Sequence, residues 1–110
     1  MPPLTPAVIH VLMALAGGDR HGYGIVKDVL RLTDEKVRLG PGTLYGTLQR
    51  LMECGWVEES GGPVRVVDER RRYYRLTKAG REALRAEASR LEALVRAARA
   101  QRILPRSPRG

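Results

Sequence analysis

The stretch GPGTLYGTLQRLMECGWVEE, Gly40 to Glu59, decides the fold. Gly40-Pro41-Gly42 marks a helix start, because proline at the first helical position gives up only an N–H that had no intrahelical partner. Gly55 is the natural stop beyond Cys54, since glycine takes the left-handed conformation in which many helices end. The predicted helix is therefore Pro41 to Cys54. At about 100° per residue, Leu44, Leu48, Leu51 and Met52 share one side, the spacing of a core-facing stripe. Gly42, Thr43, Gly46, Gln49 and Arg50 face the other way, with Tyr45 and Thr47 on the flanks. That outward face is small and hydrogen-bonding where a solvated helix would carry Lys and Glu, although each interior glycine costs about 1 kcal/mol. A surface kept so low fits the major groove of B-DNA, about 12 Å wide, which admits a helix whose axis can approach the base edges.

The rest of the composition points the same way. A length of 110 residues suits one small domain with one modest core. There are 20 Lys+Arg against 12 Asp+Glu, a formal net charge of +8, and 17 of the cations are arginine, which pairs bidentately with phosphate. An anionic partner follows, nucleic acid ahead of membrane, although excess charge also keeps a small protein soluble. The single cysteine, Cys54, rules out an internal disulfide, and the N-terminus lacks the basic-then-apolar layout of a signal peptide, so a cytoplasmic protein is expected. The longest apolar run, Ala7 to Ala16, is about half of a membrane span and reads as a buried helix. Two histidines and one cysteine do not supply a metal site of ordinary ligand count. With no Gly-rich phosphate loop and no Ser-His-Asp set, neither an enzyme nor a cofactor is expected.

Outward from the deciding stretch, the chain reads helix, helix, helix, hairpin, long helix. Thr5 caps a first helix from Pro6 to Ala16, and Gly17-Gly18 stops it. A second opens near Tyr23 after His21-Gly22, turns Ile25, Val26, Val29 and Leu30 inward, and fades around Thr33-Asp34. Beyond Gly55, Trp56-Val57-Glu58-Glu59 and Arg72-Tyr73-Tyr74-Arg75-Leu76 are rich in strand formers and predict a two-stranded antiparallel hairpin. Arg65, Arg70, Arg71 and Arg72 load its connection, offset by Asp68 and Glu69. Trp56 and Tyr74 are read as core residues under the hairpin, His10 as packed or hydrogen-bonded, and His21 as ordering the turn before the second helix. Thr77 caps a final helix from Lys78 to the neighbourhood of Arg102. There Leu84, Ala88, Leu91, Val95 and Ala98 form a short heptad seam, widened by Leu94, for a partner's equivalent helix or for the chain's own core. The end of the chain, within Arg99 to Gly110 and from residue 104 at the latest, is expected to be disordered.

The segments HGYGIVKDVL, GPGTLYGTLQRLMECGWVEE and RRRYYRLTKAGREALRAE, in that order, resemble the PadR family of bacterial transcriptional regulators over most of the chain. The resemblance implies a mostly α winged helix-turn-helix over residues 1–76, with its small β-hairpin, and a long dimerisation helix over 77–103. It further implies a homodimer bound to double-stranded DNA at an inverted-repeat operator, acting as a repressor released by a small-molecule effector. Carried over residue by residue, Thr43, Tyr45, Thr47, Gln49 and Arg50 on the recognition helix and Tyr23 on the second helix would contact DNA. Arg70, Arg71, Arg72 and Tyr73 would belong to the wing. Gly24, Gly40 and Gly46 stand where the family often has Glu, Ser and Pro. The alternative is a winged-helix module that binds protein rather than specific DNA.

Overall fold

A computed structural model describes residues 4–60 and 72–106. Its elements are α1 (Pro6–Ala16), β1 (Arg20–His21), α2 (Gly22–Leu32), α3 (Pro41–Glu53), β2 (Val57–Ser60), β3 (Tyr73–Leu76) and α4 (Lys78–Ala100). The fold is the winged helix-turn-helix expected, with one strand more than a hairpin: the sheet order is β1-β3-β2, antiparallel throughout. Arg20 and His21 pair with Tyr74 and Tyr73, while Val57 to Ser60 run against Leu76 to Tyr73. Two residues show no alternation, so periodicity could not reveal β1.

Local chemistry sets the helix ends. Thr5 Oγ1 accepts from the Val8 N–H at 3.3 Å, and the His10 ring donates to Pro6 O at 2.6 Å. His21 caps α2, its Nδ1 accepting from the Gly24 N–H at 2.9 Å. Thr33 closes that helix, donating to Val29 O at 2.8 Å and accepting from the Val37 N–H at 3.1 Å. Gly55, at φ +84°, ends α3: its N–H bonds Met52 O and the Trp56 N–H bonds Leu51 O, the paired bonds of a Schellman cap.

The core is built around α1, whose Val8, Val11, Leu12, Ala14 and Leu15 are buried. Ile25 and Val29 of α2, Leu44, Leu48 and Leu51 of α3, Trp56, Val57 and Tyr74 of the sheet region and Leu84 of α4 close around it. Trp56 and Tyr74 are thus core residues, as read from the sequence. Burying about 25 cal/mol of stabilisation per Å² of apolar surface, this cluster is the main favourable term.

Leu84 corrects the seam: it packs in the chain's own core, so its turn of α4 is spent inside the chain. Only Gly80, Leu84 and Glu87 of α4 are buried. From Ala88 onward the helix leaves the core, with Leu91 and Ala98 half-buried and Leu94 58 % exposed. The described residues continue past α4 to Arg106. Residues Arg99 and Ala100 are helical, Arg102 takes φ +62°, and the Ile103 N–H bonds Ala98 O at 2.8 Å. Arg99 Nε donates to Pro105 O at 3.2 Å. The remainder of the expected tail lies outside the described residues.

Candidate nucleic-acid interface

The outward face of α3 begins at a start that has no side-chain cap, since Gly40 offers only backbone. Gly42 faces open space: a Cβ there would have no neighbour within 4 Å. Thr43, Gln49 and Arg50 are exposed, and Tyr45 is half exposed. Thr47 is a correction. It is fully buried, because it lies three residues after Leu44 and four before Leu51, inside the core-facing stripe, so its side chain is not on the outward face. Its hydroxyl is instead 3.4 Å from Arg50 Nη2, which donates to it. The Arg50 guanidinium folds back toward Gly46, where a Cβ would be 3.8 Å from Nη1.

A belt of phenols continues that face. Gly22, buried at the start of α2, abuts the Tyr45 hydroxyl so closely that a Cβ would sit 2.5 Å from it. Tyr23, next in sequence, is 69 % exposed. His21 stands between Tyr23, stacked at 6.4 Å, and Tyr73 of β3, edge-on at 5.4 Å. Because Nδ1 is committed as the acceptor of the cap, a neutral His21 carries its proton on Nε2 and remains a donor. Burial, with Tyr45 and Glu59 adding to it, raises the Tyr74 phenol above its ordinary range, so Tyr74 stays neutral beneath the belt.

The structure brings Tyr23, Tyr45 and Tyr73 together with Thr43, Gln49 and Arg50. Of the expected wing arginines, Arg70 and Arg71 lie outside the described residues. Arg72 is exposed and 3.3 Å from Glu59, and Arg75 makes a two-pronged contact with Glu58 at 3.0 and 2.8 Å. Exposed pairs of this kind contribute at most about 1 kcal/mol and exchange readily for a phosphate. Sequence reasoning missed His21 as a possible donor and Lys27, whose ammonium lies 5.4 Å from the Tyr23 ring centroid. The i, i+4 spacing of Tyr23 and Lys27 was the available signal. Among the described residues no group of three His, Cys, Asp or Glu could hold a metal, and no helix is long and apolar enough to cross a membrane.

Comparison with known proteins fits this arrangement. The transcriptional regulator Rv3488 of Mycobacterium tuberculosis is 40% identical over 89 residues, spanning 80% of this chain and 78% of that protein. An uncharacterized 37.1 kDa protein in transposon TN4556 of Streptomyces fradiae is 45% identical over 80 residues. That match takes in 71% of this chain, which spans only 21% of the transposon protein. Among solved structures, PadR of Bacillus subtilis in complex with operator DNA superposes with a TM-score of 0.65 at 19% identity, covering 78% of this chain and 48% of that one. At that identity the likeness speaks for the fold. The model of the transcriptional regulator PadR-like family matches residues 11–86, and with that span and the Rv3488 likeness the chain belongs to this family of transcriptional regulators, not of enzymes.

Proposed function

We propose that the chain binds double-stranded DNA as a cytoplasmic homodimer and represses transcription by occupying an inverted-repeat operator. The observation that carries this reading is the continuity of the low outward face of α3 with the exposed phenols of Tyr23 and Tyr45 and the half-buried Tyr73. Gly42 and Gly46 let the helix axis approach the base edges, while Gln49 and Arg50 supply the longer donors. Tyr23, Tyr73 and the wing arginines Arg70, Arg71 and Arg72 hold phosphates on either side. Such contacts fix register, and the α3 side chains choose sequence.

Dimerisation through α4 follows from its exposed half. With Leu84 withdrawn into the core, the seam consists of Ala88, Leu91, Leu94, Val95 and Ala98, where alanines permit close approach. A two-fold pair would present its α3 faces to successive major grooves, about 34 to 36 Å apart. A small-molecule effector releases the operator if it favours a pair geometry that misses this spacing, which requires unequal affinity for the two geometries.

Selecting bound fragments from the source genome, followed by mobility-shift titration of those recovered, tests the reading. Enrichment of inverted repeats supports it. Failure of every fragment to bind transfers the face to a protein partner and ends the operator model.

A further inference from the structure

We propose that the cleft between the α1–β1 turn and the exposed face of α2 seats a backbone phosphate of duplex DNA, held by Lys27, Arg20 and the Tyr23 hydroxyl. The cleft measures about 630 Å³, opens to solvent, and is lined by Arg20, His21, Tyr23, Lys27, Asp28 and Arg31. Three cations and one carboxylate therefore line it. Asp28, 13 % exposed, is engaged by the Arg31 guanidinium at 2.7 and 3.1 Å and stands 3.8 Å from Arg20 Nε. It aligns two arginines and neutralises about one of them. Lys27 has no carboxylate within 4.0 Å among the described residues, and its ammonium rests over the Tyr23 ring instead. A cation–π contact holds the ammonium in place without cancelling its charge, so it stays available to an anion.

Placement selects the duplex backbone as the occupant. Gly22 joins this end of α2 to the Tyr45 hydroxyl on α3, so DNA lying on the α3 face meets Tyr23 at its edge and Lys27 one helical turn beyond. The seat consists of donors: two cations, a phenol and the Nε2–H of neutral His21. Its one acceptor group, Asp28, is turned to the arginines. The inference rests on the DNA-binding reading above, but it adds a surface beyond α3 and the β2–β3 wing, built from β1 and α2.

The test is the salt dependence of binding to a fluorescein-labelled duplex of random sequence, measured by anisotropy between about 50 and 200 mM salt. Each phosphate neutralised contributes about 0.9 to the slope of log affinity against log salt. Lys27→Ala is expected to reduce the slope by about 0.9, so that the affinity lost across that interval shrinks about 3.5-fold. Tyr23→Phe keeps the ring under Lys27 and removes the hydroxyl, so affinity should fall several-fold with the slope unchanged. Circular dichroism of both variants checks folding, which two exposed positions should not disturb. If the wild type binds and Lys27→Ala keeps both slope and affinity, the phosphate seat is overturned and the DNA reading survives. A wild type that does not bind the duplex overturns both.

Discussion

Gly80 and Gly42 both lie inside helices, and helix propensity alone assigns Gly→Ala the same gain at each, about 1 kcal/mol. The structure assigns them opposite signs. A Cβ on Gly80 would be driven into the Trp56 carbonyl oxygen, with the carbonyl carbon at 2.9 Å and Cα at 3.1 Å. These are backbone atoms and cannot turn aside. Trp56 is pinned by its N–H to Leu51 O at 3.0 Å and by its carbonyl accepting from the Thr77 N–H at 3.0 Å. Overpacking against a fixed backbone costs about 1 to 3 kcal/mol. Taking the upper end, because nothing can yield, and subtracting the propensity gain leaves Gly80→Ala less stable by about 2 kcal/mol, a large share of the roughly 5 to 15 kcal/mol available to a domain. Gly42→Ala meets no atom within 4 Å and should gain about 0.5 to 1 kcal/mol, partly by restricting the unfolded chain. Urea unfolding at one fixed protein concentration reads both: the midpoint should fall for Gly80→Ala and rise for Gly42→Ala with the slope m unchanged. A raised midpoint for Gly80→Ala would show that α4 does not bear on Trp56, and the packing argument would be wrong.

The same Gly42→Ala variant should lose operator affinity while gaining stability, because the added methyl stands between the helix and the base edges; equal affinity in a mobility shift would detach Gly42 from the contact face. Arg50→Ala should weaken operator binding by roughly tenfold or more, given about 1 to 3 kcal/mol for a well-placed base contact, with the dimer intact by sedimentation. Leu91→Asp should give a folded monomer, whereas Leu84→Asp, which buries a charge in the chain's own core, should unfold it; a dimeric Leu91→Asp by sedimentation would take Leu91 out of the dimer contact. Arg90 donates to Glu87 at 2.6 and 2.9 Å and holds its carboxyl below the ordinary glutamate range. The folded state therefore binds that proton less readily than the unfolded chain, so the stabilisation is complete above the ordinary glutamate value and is lost as pH falls through the lowered one. Wild type should lose more stability on acidification than Glu87→Gln, by urea midpoints from about pH 6 to about pH 3; parallel pH profiles would mean the pair contributes nothing.

How much of this the sequence could disclose depended on the range of each interaction. Thr5, Pro41, Gly55 and Thr77 act on neighbours within three or four residues, so the helix ends they set were readable to within a residue. Burial across elements was less visible. Leu84 lies on a face whose apolar character was plain, yet an apolar stripe looks the same whether it meets its own core or a partner, and Thr47, on the flank of its stripe, is buried with its hydroxyl accepting from Arg50. β1 owes its existence to Tyr73 and Tyr74, far along the chain, and to no pattern of its own. Gly80 is invisible for a similar reason: what requires glycine there is a tryptophan carbonyl brought in by the fold.

The junction between α3 and α4 bears on how any effector would have to work. Thr77 Oγ1 donates to Gly55 O at 2.6 Å and accepts from the Gly80 N–H at 3.0 Å. The Thr77 N–H meanwhile bonds Trp56 O, and Gly80 lies against the same carbonyl. The end of α3 and the start of α4 are thus joined by two hydrogen bonds and the close approach of Gly80 to Trp56 O, with Trp56 and Leu84 packed in the core beside them. Bending this joint means breaking the Thr77 bonds to Gly55 O and Trp56 O together. In the dimer proposed above, the distance between the two α3 faces is then set by how the exposed halves of α4 cross. An effector that changes this distance would therefore act where Leu91, Leu94, Val95 and Ala98 meet their counterparts.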